Sequence, residues 1–153
     1  MNFEKNIQDI IPSMKKWRQK IHSKPEIAYE EFETSKFISE KLAEFGIEVH
    51  KDIGGTGIVG ILKGNKRSPK AIGLRADMDA LPMDEKTNLK YSSVNPGKMH
   101  ACGHDGHTVM ALGAAKHLAE NPNFDGTVYF IFQPDEEKTQ GAQAMIDDGL
   151  FTK

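Results

Sequence analysis

Cysteine appears once in these 153 residues, so no internal disulfide can form and nothing points to an oxidising compartment. The start, Met1-Asn2-Phe3-Glu4-Lys5-Asn6, lacks the apolar core of a signal peptide. No apolar run approaches the roughly 20 residues that cross a bilayer. An excess of one charge is missing too: 20 lysines and arginines face 22 aspartates and glutamates, a formal net charge of -2. No basic stripe follows a nucleic-acid backbone, and no single-sign run makes a disordered tail. Repeats, low-complexity tracts and internal linkers are absent as well. The expectation is a soluble cytoplasmic protein with one core and neither nucleic acid nor membrane as partner.

What is present alternates between two periods. Ile7, Ile10, Ile11, Met14, Trp17 and Ile21 recur at helical spacing and predict a helix over 3–22, with Pro12 interrupting it or marking a restart near Ser13. A second helix is predicted over Glu30–Phe45, stopped by Gly46. Strands follow at 47–50 and 58–62 around a Gly54-Gly55-Thr56-Gly57 turn, then a polar loop at 63–70 and a strand at 71–76. Residues 80–101 show no period, and loops of that length in a compact domain are usually functional. A small-residue helix at 107–120, a buried strand at 126–132 and a helix at 141–149 complete the pattern. Strands alternating with helices predict a layered α/β domain, its central sheet mostly parallel or mixed and flanked by helices.

Three polar clusters fall at equivalent places in that pattern. Asp77 and Asp79 follow one strand, Glu136 and Glu137 follow another, and Cys102 and His104 lie in the loop entering the 107–120 helix. In open α/β sheets, ligands bind beyond the carboxyl ends of the strands, where all three would gather. Thiolate, imidazole and carboxylate together are donors for borderline-soft divalent metals. Of the adjacent Glu136 and Glu137, one can coordinate metal while the other accepts a proton from activated water. Each cluster has a plainer reading: a buried cysteine beside a capping histidine, a solvated acidic turn, or a turn pair at Asp77 and Asp79. His100 and His107 read as orienting partners, a helix cap or plain loop residues, and Arg75 as a structural counter-charge.

The segments Ile21-His22-Ser23-Lys24-Pro25-Glu26, Leu74 to Pro82, Met99 to His107, Phe132 to Glu137 and Gly141 to Ile146 together resemble one family. It is the metal-dependent, aminoacylase-type amidohydrolases, which include hippurate, N-acyl-amino-acid and indole-acetyl-amino-acid hydrolases. The resemblance runs from about Trp17 to Phe151. It implies a zinc-peptidase-like catalytic domain and a site for two divalent ions, zinc or manganese with cobalt or nickel as alternatives. It further implies Cys102, His104 and Glu137 as ligands, Glu136 as general base and Asp79 as an orienting catalytic residue. The implied substrate is a small N-acyl amino acid or short peptide, and the implied full-length assembly is a homodimer or higher.

Two departures stand out. Lys138-Thr139-Gln140 replaces the family's glycine-rich turn, and no histidine follows His117. Residues 1–153 are therefore expected to be the N-terminal part of the catalytic domain, without the dimerisation or lid domain and the C-terminal part. Such a piece is expected to bind metal weakly and turn over little alone. Two other classes stay open: a hydrolase with Cys102 as nucleophile, and a non-catalytic metal-binding remnant of the fold.

Overall fold

The computed structural model describes residues 3–138 and 140–152. Helix α1 spans Phe3–Ser23 without a break at Pro12. Pro12 sits on the exposed face one turn beyond an equally exposed Gln8, so the carbonyl deprived of its N–H partner faces water. That corrects the expected interruption. Helix α2 covers Phe32–Glu44 and ends in a Schellman motif. Gly46, at φ +74°, donates to Ala43 O at 2.9 Å, and Ile47 donates to Leu42 O at 3.0 Å.

Strands β1 (Glu48–Ile53), β2 (Gly57–Lys63) and β3 (Lys66–Asp77), helix α3 (His104–Glu120), strand β4 (Asp125–Gln133) and helix α4 (Gly141–Asp147) follow. The sheet order is β1-β2-β4-β3. The β1–β2 and β2–β4 pairs are antiparallel, whereas β3 and β4 run parallel with α3 as their crossover. The sheet is thus mixed.

Several boundaries differ from expectation: β1 runs on to Ile53 and α4 stops at Asp147, and two larger shifts have a clear cause. The polar stretch 63–70 is largely strand, because Lys66 already pairs with Asp125 before a register shift leads to Ala71 opposite Thr127. At the end of the four-stranded order β1-β2-β4-β3, this stretch pairs with β4 alone and needs no apolar alternation to do so. Helix α3 also begins at His104 rather than His107, since Gly103 at φ +91° turns the backbone into it earlier.

One face of the sheet carries the main core. Phe130, Phe132, Ile58 and Ala76 pack against Val109, Leu112 and Ala115 of α3 and against Phe37, Ile38 and Leu42 of α2. Truncating either buried phenylalanine to alanine should cost about 3–5 kcal/mol. The small residues of α3 serve a helix as well as the sheet: a Cβ on Gly113 would lie 2.8 Å from Met14 of α1. On the opposite face α4 brings Met145 onto Ile53 and Val59. No helix among the described residues is long and apolar enough to cross a membrane.

Candidate active site

The parallel pairing of β3 and β4 ends at the rung Asp77–Gln133. Beyond it the two backbones part, and each delivers one acidic segment to the same end of the sheet. Helix α3 starts there too, fastened by the Thr108 hydroxyl donating to Asp77 O at 3.0 Å.

Asp79, 1% exposed, ties these three segments together. Its Oδ1 lies 3.0 Å from Nδ1 of His104, and its Oδ2 accepts the backbone N–H of Glu137 at 3.0 Å. Burial works against its charge, but the His104 hydrogen bond and the N–H groups of Glu137 and Glu136 outweigh it and hold the carboxyl below its ordinary range. His104 Nδ1 also faces Asp79 O at 2.9 Å. Two acceptors on Nδ1 require the hydrogen there, so neutral His104 carries its lone pair on Nε2. Burial opposes protonation of this ring, yet the Asp79 bond and the charges of Asp77 and Asp79 raise its pKa overall.

That Nε2 lies 3.7 Å from Glu137 Oε1, a buried oxygen without a hydrogen-bond partner. The Sγ of Cys102 completes the group, with ligand atoms of Cys102, His104 and Glu137 all within 4.8 Å of one another. Hydrogen bonding to Glu137, then burial and the charges of Glu137, Asp77 and Asp79, push the thiol pKa up. Such a thiol is a poor free nucleophile. The same carboxylates favour a dication, which would displace the thiol proton. Lone pairs facing inward, an orphaned carboxylate oxygen and a fixed histidine tautomer together fit a bound metal ion.

The neighbouring glutamates diverge. Glu137 turns to Cys102 and His104, while Glu136 turns to Arg75 and Gln133, whose Nε2 donates to Glu136 Oε2 at 2.9 Å. Arg75 also donates to Asp77 Oδ2 at 3.1 Å and Gln133 Oε1 at 2.8 Å. Asp77, His104 and His107 form a second group with ligand atoms this close. Here Asp77 already has partners, His107 Nδ1 at 2.7 Å as well as Arg75. His107 stacks on His104 at 5.6 Å between ring centroids, the place of an orienting partner. Cys102 is exposed, contrary to the buried-cysteine reading. Lys138 follows the glutamates directly, Gln140 precedes α4, and Thr139 between them lies outside the described residues.

Sequence reasoning missed the polar network behind the site. His22 places Nδ1 2.9 Å from Asp105 Oδ2 and Nε2 3.1 Å from Glu85 Oε1. Glu85, on the 80–101 loop, is held down to a pKa of about 2: burial opposes its charge, but Thr87, Ser93 N–H and His22 outweigh it. Glu26 caps α2, accepting Glu33 N–H at 3.0 Å and Thr34 N–H at 2.8 Å. The available signal was the His22-to-Glu26 motif, in which His22 and Glu26 each fasten an element flanking the site. His100, 4% exposed, lies beside this network and has no hydrogen-bond partner for either ring nitrogen.

The chain has counterparts among known proteins. Residues 73–153 match the profile of peptidase family M20/M25/M40. The chain belongs to that family. It is 54% identical to hippurate hydrolase of Campylobacter jejuni over 154 aligned positions, covering 100% of this chain and 39% of that protein. It is 47% identical to N-acetyl-L-cysteine deacetylase of Bacillus subtilis, covering 86% of this chain and 32% of that protein. Among solved M20 structures, the YxeP protein of Bacillus subtilis, a dinuclear metal binding peptidase, superposes with a TM-score of 0.88 at 39% identity, covering 94% of this chain and 40% of that one. The chain thus spans about two-fifths or less of the length of these M20 relatives.

Proposed function

We propose that this chain contributes the Cys102, His104, Glu136 and Glu137 part of the centre of a metal-dependent amidohydrolase, which cleaves the amide of small N-acyl amino acids or short peptides. The observation that carries this reading is the inward-facing donor set, with a second carboxylate next in sequence but turned to a different neighbour. Similarity to hippurate hydrolase and N-acetyl-L-cysteine deacetylase supports the substrate class. The thiolate, imidazole and carboxylate donors suit zinc or manganese, and similarity to a dinuclear relative supports two ions in the complete centre. A homodimeric or larger assembly and a cytoplasmic setting belong to the same proposal, supported by the family resemblance and the single cysteine.

When bound, such ions would supply Lewis acidity toward the amide carbonyl and lower the pKa of water. The chain's own residues do the rest. Asp79 fixes the tautomer of His104 and, through the Glu137 N–H, the turn that carries both glutamates. Glu136 takes the proton from water as its oxygen attacks the carbonyl carbon. It returns that proton to the amine as the C–N bond breaks, releasing a carboxylic acid and an amino acid.

The test combines titration with assay. Cobalt(II) added to the complete product of the reading frame containing this chain should give a thiolate charge-transfer absorption that disappears in Cys102→Ser. The complete product of the reading frame containing this chain should hydrolyse hippurate or N-acetyl amino acids and lose that activity in Glu136→Gln. No cobalt–thiolate band, or hydrolysis indifferent to chelators, would overturn the proposal.

A further inference from the structure

Arg75 is unused by the reaction above, yet all three of its nitrogens are engaged. Nε donates to Gln133 Oε1 at 2.8 Å, Nη1 to Asp77 Oδ2 at 3.1 Å, and Nη2 to Glu136 Oε2. Gln133 Nε2 donates to that same Glu136 oxygen at 2.9 Å. Asp77 and Gln133 face each other as the last rung between β3 and β4, 5% and 4% exposed. Glu136 sits on the turn beyond, its side chain 42% exposed.

Two of the three acceptors therefore belong to the packed end of the sheet and the third to a solvent-facing turn. A planar guanidinium fixes its donors at set angles, so it can hold the third group in register with the other two. Both donors to Glu136 take Oε2, which leaves Oε1 as the oxygen that meets a reacting proton. We propose that Arg75 is a positioning residue, one that fixes the Glu136 carboxylate against the strand ends and presents Oε1 to the amide. This inference rests on the amidohydrolase reading and adds to it the group that aims the base. A role limited to neutralising charge would be served by any cation at this position. A fork role would not, because an ammonium offers no planar set of donors to these three acceptors.

Arg75→Lys and Arg75→Met, made in the complete product of the reading frame, separate the two roles. Positioning predicts that kcat falls by about tenfold in Arg75→Lys and roughly 100-fold in Arg75→Met, while KM and bound metal stay within about twofold. In a Glu136→Gln background the same substitutions should produce no further loss, since the group they act through is gone. Full activity in Arg75→Lys, additive losses in the double variants, or loss of metal in step with kcat would each overturn the role.

A second readout needs no activity. In NMR spectra of the chain, the Arg75 Nη2 protons should exchange slowly, and they should exchange fast in Glu136→Ala, while Nη1 stays held by Asp77. Fast exchange in the unsubstituted chain would overturn the positioning role whether or not the protein hydrolyses amides. Slow signals in the chain, with no hydrolysis of N-acyl amino acids by the complete product of the reading frame, would overturn the amidohydrolase reading instead.

Discussion

Replacing His100 with leucine exchanges a buried ring with two unpartnered nitrogens for an apolar side chain of similar size. Burial lowers the His100 pKa from 6.5 to about 4; the charges of Asp105 and Asp79 partly oppose that, and His22 and His104 add to it. In the unfolded chain the ring titrates near its ordinary value. As pH falls below about 6.5, the unfolded state binds a proton that the folded state refuses until about pH 4. Stability from this group is therefore complete above the unfolded pKa and drains away as pH drops toward the folded one. Between pH 7 and pH 4.5 the loss is about 2 kcal/mol for the unsubstituted chain and zero at this position for His100→Leu. At pH 7 the leucine variant should be at least as stable, because an unpaired buried polar atom costs roughly 1–3 kcal/mol. Urea unfolding at both pH values measures this. With a slope of roughly 2 kcal/mol per molar, the midpoint gap between the two proteins should widen by about 1 M on acidification. A gap of the same size at pH 7 and pH 4.5 would refute the argument.

Other consequences are equally concrete. Glu136→Gln should lower kcat by about 10²–10⁴-fold with bound metal retained, read by steady-state kinetics alongside metal analysis; loss of metal would make Glu136 a ligand rather than a base. Cys102→Ser should weaken metal binding at least about tenfold in calorimetric titration, and chelator inhibition of the complete enzyme should be reversed by added metal. Gly141→Ala should lower the melting temperature by at least about 2–4 °C, the shift that 1 kcal/mol produces in a domain of this size, because its new Cβ would lie 1.6 Å from the Pro134 carbonyl oxygen, backbone against backbone. The same variant should lose metal affinity, since residues 134–140 carry Glu137.

The site was more legible than the network behind it. Asp77, Asp79, Cys102, His104, Glu136 and Glu137 announced themselves because each follows a strand or enters a helix, and topology alone brings such places together. The divergence of Glu136 and Glu137 was readable from their adjacency. What sequence reasoning missed depends on pairings far apart in the chain. Lys66 looks like a loop residue until Asp125 is seen opposite it. Arg75 reads as a counter-charge for Asp77, but its bonds to Gln133 and Glu136 appear only once β3 and β4 are aligned. His22 reads as one more position of the first helix, whereas its partners are 63 and 83 residues away. Pro12 misled for the opposite reason: its local penalty is real, but solvent on that face of α1 absorbs it.

The rung joining Asp77 to Gln133 closes a loop that contains all of α3, and its consequence reaches into folding. Parallel pairing of this kind forms late, because a long stretch of chain must be ordered before the two strands meet. Cys102 and His104 ride on the intervening crossover, so they can be shaped before β4 docks; Glu136 and Glu137 arrive only with it. A nascent or partly unfolded chain would thus hold thiol and imidazole without the carboxylates that complete the donor set. Tight metal capture would then report that the sheet has closed, and the ion would act as a check on folding before it takes part in any reaction.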